Sequence, residues 1–216
     1  MGKSRADGFL LALVVVVILA ATAIIATGIF LSNQQGSVPL QPTAASSFDS
    51  VNGLNLTLSL SSVSIKQGQV VNIVIDLTNT LDHNQTLTKV NHWPSAPGLT
   101  LTVCPNVPYP LGVAIYRGHF TNQNISAAAS LWMFTPAPCP LYVLAVDGYR
   151  FLPNSNLAFP VFDNSTSTSQ PMRMGADFIL SGYYVNGALK VFPVGEYTVV
   201  SGTMFGDIAI LHFTVT

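Results

Sequence analysis

Between Phe9 and Leu31 the chain reads FLLALVVVVILAATAIIATGIFL, without one charged residue. At about 1.5 Å per residue this run makes a helix roughly 35 Å long, enough to cross a hydrocarbon core of about 30 Å with some tilt. A chain with such a run has to supply it with a bilayer or an equally apolar partner. Lys3 and Arg5 precede it, partly offset by Asp7, and the next positive residue is Lys66. That asymmetry predicts a cytoplasmic N-terminus over 1–8, a transmembrane signal anchor over 9–31, and everything after Leu31 on the far side of the membrane. The rival is a cleaved signal peptide, since Ala21-Thr22-Ala23 supplies an A-x-A site. Cleavage there would leave IIATGIFL as an exposed apolar N-terminus, a poor product. Myristoylation is disfavoured because Ala6 stands where that motif wants Ser or Thr.

Beyond the anchor, Ser32 to Gly53 (SNQQGSVPLQPTAASSFDSVNG) shows no hydrophobic period and reads as a flexible linker of Ser, Gln, Pro and Gly. Residues 54–216 form the head. Charged residues are 8% of the chain, against about 25% in a typical soluble domain, while 49% are hydrophobic. Intrinsic disorder is excluded by that hydrophobic share. A net charge of −1 with no basic cluster past the first residues argues against a nucleic-acid partner.

The head alternates with period two. Leu54, Leu56, Leu58 and Leu60 share one face, as do Val71, Ile73, Ile75 and Leu77. Leu99–Val103, Leu111–Ile115 and Leu141–Ala145 repeat the rhythm. Asp147-Gly148 and Asn186-Gly187 both read as hairpin turns, the second between Tyr183–Val185 and Ala188–Val191. Glu196–Val200 and Ile208–Thr216 complete the set, with Ala209, Leu211, Phe213 and Val215 on one face. Only Ile125–Leu131 suggests a short helical turn. Without helical crossovers, parallel sheets are disfavoured. The expectation is an all-β antiparallel β-sandwich of two packed sheets.

Two segments carry a resemblance. SIKQGQVVNIVIDLTNT (64–80) gives a strand, a glycine turn, an alternating strand and a terminal Asn. FPVGEYTVVSG (192–202), followed by the strand ILHFTV, sets Tyr197 after a Gly195 turn, in a position like the tyrosine corner of immunoglobulin sandwiches. Both resemble extracytoplasmic immunoglobulin-like modules of archaea and bacteria, including those of the intracellular proteinase-inhibitor type. The anchor-linker-head layout is similar to uncharacterised archaeal membrane proteins, which implies an immunoglobulin-like head and no known reaction. The leader, Gly8 and the apolar run also resemble archaeal type IV pilins, which implies a filament subunit.

Chemistry-bearing residues are few. Cys104 and Cys139 are the two thiols, and outside the membrane such a pair most simply forms a disulfide. Blue copper needs two His, one Cys and a Met. His83, His92, His119 and His212 exist, but neither Cys has a His within ten residues downstream. No C-x-x-C or H-x-x-x-H pair suggests zinc, and no hydrolase or phosphate-loop motif occurs. No metal, cofactor or catalytic residue is therefore expected. Glu196, the chain's one Glu, reads as structural or solvent-facing, and His212 as an ordinary exposed side chain. Asn55, Asn84, Asn124 and Asn164 begin N-x-[ST] sequons, of which Asn84 and Asn164 look most loop-like. Trp93, Tyr109, Tyr116, Trp132, Phe134, Tyr183 and Tyr184 could serve either core packing or a recognition face. The expected role is a non-enzymatic extracytoplasmic module for binding, adhesion or envelope structure, with an extracellular protein or glycan as partner. A pilin-like filament subunit is the alternative, ahead of a secreted enzyme or a copper protein.

Overall fold

A computed structural model of the chain describes residues 45–88, 92–101, 109–134, 146–162, 165–166 and 170–216. The anchor run and most of the linker lie outside these residues. Among the described residues no helix is long and apolar enough to cross a membrane. The described part falls in the compact unit Pro42–Thr216.

In chain order the strands begin with β1 (Ala45–Val51), β2 (Leu54–Leu60), β3 (Ser64–Ile65), β4 (Val71–Asn79), β5 (Gln85–Thr88) and β6 (Leu111–Arg117). After a single 3-10 turn at Ile125–Ala127 come β7 (Ser130–Leu131), β8 (Gly148–Phe151), β9 (Leu157–Phe162), β10 (Ser165–Thr166) and β11 (Met172–Arg173). The last five are β12 (Gly175–Leu180), β13 (Gly182–Val185), β14 (Ala188–Val191), β15 (Gly195–Thr203) and β16 (Ile208–Val215). The protein is mostly β, as its period-two pattern requires.

These strands pair into four sheets: β1-β2-β4-β12, β10-β9-β8-β5 with β11 also on β9, the hairpin β13-β14, and β3-β16-β15-β6-β7. All pairings are antiparallel except β3 with β16, where Ile65 lies beside Val215. The alternation of β2 and β4 is literal: every odd member, Leu54 to Leu60 and Val71 to Leu77, is buried. Those faces share one core with Val113 and Ile115 of β6, Tyr197 and Val199 of β15, and Ala209, Phe213 and Val215 of β16. Fully burying each such aliphatic side chain contributes roughly 1.5–3 kcal/mol. Within it Tyr197 and Phe213 stack at 5.2 Å, and Phe192 meets them edge-on at 5.0 and 5.6 Å.

Two expectations need correction. Residues 45–51 belong not to a tether but to β1, which pairs along the whole of β2. Asn52 and Gly53, at φ 54° and 72°, form the tight turn, a left-handed pair that suits the twist of a two-residue hairpin. This Ser-rich strand shows no apolar alternation, so only its pairing reveals it. Gly148 is not a turn residue: it sits within β8, opposite Val161 of β9 and Thr88 of β5. A Cβ there would lie 2.4 Å from the Leu87 carbonyl oxygen, so close strand approach explains the glycine. Of the Leu99–Val103 rhythm, Thr100 bridges to Val113, and residues 102 and 103 lie outside the described residues. The Leu141–Ala145 rhythm lies outside the described residues.

Asn186-Gly187, at φ 52° and 81°, does close the hairpin β13–β14. Asn79, at the end of β4, is fully buried. Its side-chain amide donates to the His83 and Leu152 carbonyls at 2.9 and 3.0 Å, and its oxygen accepts from the Leu81 amide.

Candidate functional site

The exposed apolar surface with the clearest construction begins at Trp132. Its carbonyl accepts from the Tyr184 amide at 2.7 Å, which bridges the chain after β7 to β13. Tyr184 is in turn opposite Leu189 of β14. In antiparallel pairing, directly opposed residues point to the same face. Trp132, Tyr184 and Leu189 therefore form one row from the bridged residue after β7 across β13 and β14. Period two sends their neighbours the other way: Met133 is buried, and Tyr183 packs against the core with its ring 6.0 Å from Phe192. Trp132 and Leu189 are 43% and 53% exposed, and Val191, on the same side of β14, is 45% exposed. Large apolar side chains exposed side by side are the informative exception to burial. The indole is held edge-on by Phe134 at 5.5 Å, and Phe134 meets Phe178 of β12 at 6.0 Å. The indole is thus braced at its edge, so it has less side-chain freedom to lose on contact.

Of the other aromatic candidates, Tyr116 is a core residue whose hydroxyl donates to the Pro97 carbonyl, and burial pushes its phenol well above the usual range. Tyr109 is half-buried, donates to the Arg173 carbonyl at 2.8 Å, and is shifted up by desolvation. Trp93 packs at the edge of the main core.

The four histidines separate. His83 pairs with Asp82 at 2.9 Å on an exposed turn, holding that carboxyl below its usual range. The exposed His92 donates its backbone amide to the Met204 carbonyl. His119 and His212 come together as stacked rings, 3.9 Å between centroids and 7° between planes. His119 Nδ1 lies 2.7 Å from Glu196 Oε1. His212 is not an ordinary exposed side chain, as its place in the strand suggests: it is half-buried, with Nε2 2.9 Å from the Phe120 carbonyl oxygen. Sequence reading missed this cluster because its members are far apart in the chain and meet only through the register of β15, β16 and the end of β6. Among the described residues no three His, Cys, Asp or Glu side chains could hold a metal ion.

Cys104, Cys139 and Asn164 lie outside the described residues. Asn84 is exposed in the turn between β4 and β5. Asn124 is exposed too, but its side-chain oxygen already accepts from the Thr121 amide at 2.7 Å. Asn55 is half-buried in β2, between Ser50 and Thr78.

The chain matches no known protein family and no curated protein. Among solved structures it is similar to a β-glucosidase from Listeria innocua in complex with isofagomine, at TM-score 0.29 and 11% identity, over 85% of this chain and 20% of that one. The chain thus spans about a fifth of that protein's length, and a likeness at this level carries no argument about fold or activity.

Proposed function

We propose that the protein is a single-pass module, anchored through 9–31, whose extracytoplasmic head binds a macromolecular partner without catalysis. The head is an immunoglobulin-like β-sandwich in this reading. Tyr197 supports that detail, since its hydroxyl donates to the Pro193 carbonyl at 2.6 Å, a few residues upstream as in a tyrosine corner. Cys104 and Cys139 are paired outside the membrane, and the partner is an extracellular protein or glycan. The binding role rests on one observation, the row of Trp132, Tyr184 and Leu189 with its indole braced by Phe134. Aromatic anchors of this kind dominate binding energies where they become buried.

Oxidative footprinting tests the reading with the full chain, compared in its own cell envelope and after purification in detergent. Trp132 should be oxidised in the purified protein and protected in the envelope, while exposed Met172 reports equal dosing. Equal oxidation of Trp132 in both settings would remove the binding reading. Protease applied to intact cells should cut between the anchor and β1; full protection of the head would overturn the topology.

A further inference from the structure

β14 (Ala188–Val191) is the outer strand of its hairpin, and all four of its residues are exposed. On its inner side stand β13 and then Trp132. Two hydrogen bonds fix which way each backbone group of β14 points. The Phe192 amide donates to the Ser181 carbonyl at 3.0 Å, so that pair is bonded across the hairpin. The Tyr184 amide turns the other way, to the Trp132 carbonyl. Antiparallel ladders alternate hydrogen-bonded and non-hydrogen-bonded pairs. Lys190 and Ala188 therefore bond to Tyr183 and Val185, while the amides and carbonyls of Leu189 and Val191 point outward. Among the described residues no strand pairs with this edge. Leu189 and Val191 also carry their side chains on the Trp132–Tyr184 face. Lys190, opposite Tyr183, lies on the other face and forms no ion pair among the described residues.

We propose that the outer edge of β14 takes an extended peptide segment of a partner protein as an added strand. The inference rests on the binding reading of the Trp132 row and supplies its mode. Outward amides and carbonyls at alternate residues are the donors and acceptors that strand addition uses. The side chains then specify the peptide. Residues set opposite Leu189 and Val191 lie on the Trp132 face, where apolar side chains extend the row. The residue between them lies on the face of Lys190, where an acidic side chain meets the cation. The partner strand thus reads apolar, acidic, apolar. A second copy of the chain fits this edge worse. A twofold copy that sets Leu189 against Val191 also sets Lys190 against Lys190, with like charges directly opposite. Centring the copy on Leu189 instead brings in Gly187, whose φ of 81° belongs to the turn. Centring it on Val191 brings in Pro193, which has no amide to donate.

The test uses the full chain in detergent and reads backbone amide exchange residue by residue, corrected for intrinsic rates. The probe is a synthetic peptide, blocked at both ends, with Val on either side of a central Asp and Thr outside them. Without it, the Leu189 and Val191 amides should exchange at least about tenfold faster than the Lys190 amide. Peptide at millimolar concentration should slow both at least about threefold. A peptide with Lys in place of Asp should bind about fivefold more weakly, and Lys190→Glu should reverse that preference. Lys190 is exposed, so this variant leaves the core intact. Edge amides left unprotected by the Asp peptide, or equal binding of the two peptides to the native chain, would overturn strand addition. A dimer that protects both amides without peptide would assign the edge to a second copy and overturn it as well. Oxidation of Trp132 in the envelope reports the binding reading separately, so strand addition can fail while that reading stands.

Discussion

Tyr197 shows how much one hydroxyl can hold. Its ring is fully buried between Phe192 and Phe213, and its hydroxyl supplies a 2.6 Å donor to the carbonyl of Pro193, just before β15. Tyr197→Phe keeps the stack and removes only the donor. The half-buried carbonyl then loses its partner, and stability should fall by about 1–2 kcal/mol. In urea this is a lower midpoint with an unchanged slope; an unchanged midpoint would show that water replaces the hydroxyl. The residue is legible in the sequence as part of G-E-Y, because a short local loop sets its bond. His212 is the opposite case. Its polar phase on the last strand is visible, whereas its partners His119 and Phe120 are brought to it by sheet register.

At the scale of elements, glycines marked two different things. Asn186-Gly187 between alternating strands reads as a turn, and it is one, because the left-handed pair is a local requirement. Asp147-Gly148 carries the same signal, yet Gly148 lies in the middle of a three-strand contact where β5 passes too near for a side chain. Gly148→Ala should therefore push β5 away and cost about 1–3 kcal/mol by overpacking. Roughly 2–4 °C of melting temperature per kcal/mol at this size makes the loss measurable by calorimetry. If Gly148 were only a turn residue, Gly148→Asn would be tolerated and Gly148→Ala strained by its backbone; close approach predicts that both destabilise, the larger Asn more.

For the molecule as a whole, buried phenols set the alkaline limit. Desolvation raises Tyr116 and Tyr149 strongly, and Tyr109 and Tyr197 in the same direction. The fold keeps these four neutral where the unfolded chain would ionise, near pH 10. Their contribution is thus complete below about pH 10 and is lost as pH climbs toward the raised folded values. Four of the chain's seven tyrosines should ionise only together with unfolding, seen as tyrosinate absorbance coincident with loss of circular dichroism. Early ionisation of all seven in the folded protein would contradict their burial.

The sequence by itself determined the β class and the inward faces of β2, β4 and β16, because period two is a property of each strand alone. It also determined the turn at Asn186-Gly187 and marked Tyr197. Tertiary structure decided what depends on distant neighbours. It made β1 a strand, since pairing with β2 supplies order that Ala45–Val51 does not encode by hydrophobic pattern. It divided the strands into four sheets, aligned Trp132 with Tyr184 and Leu189, and stacked His119 on His212. Register between strands far apart in sequence is fixed by the sum of core contacts, and no short stretch of sequence contains that sum.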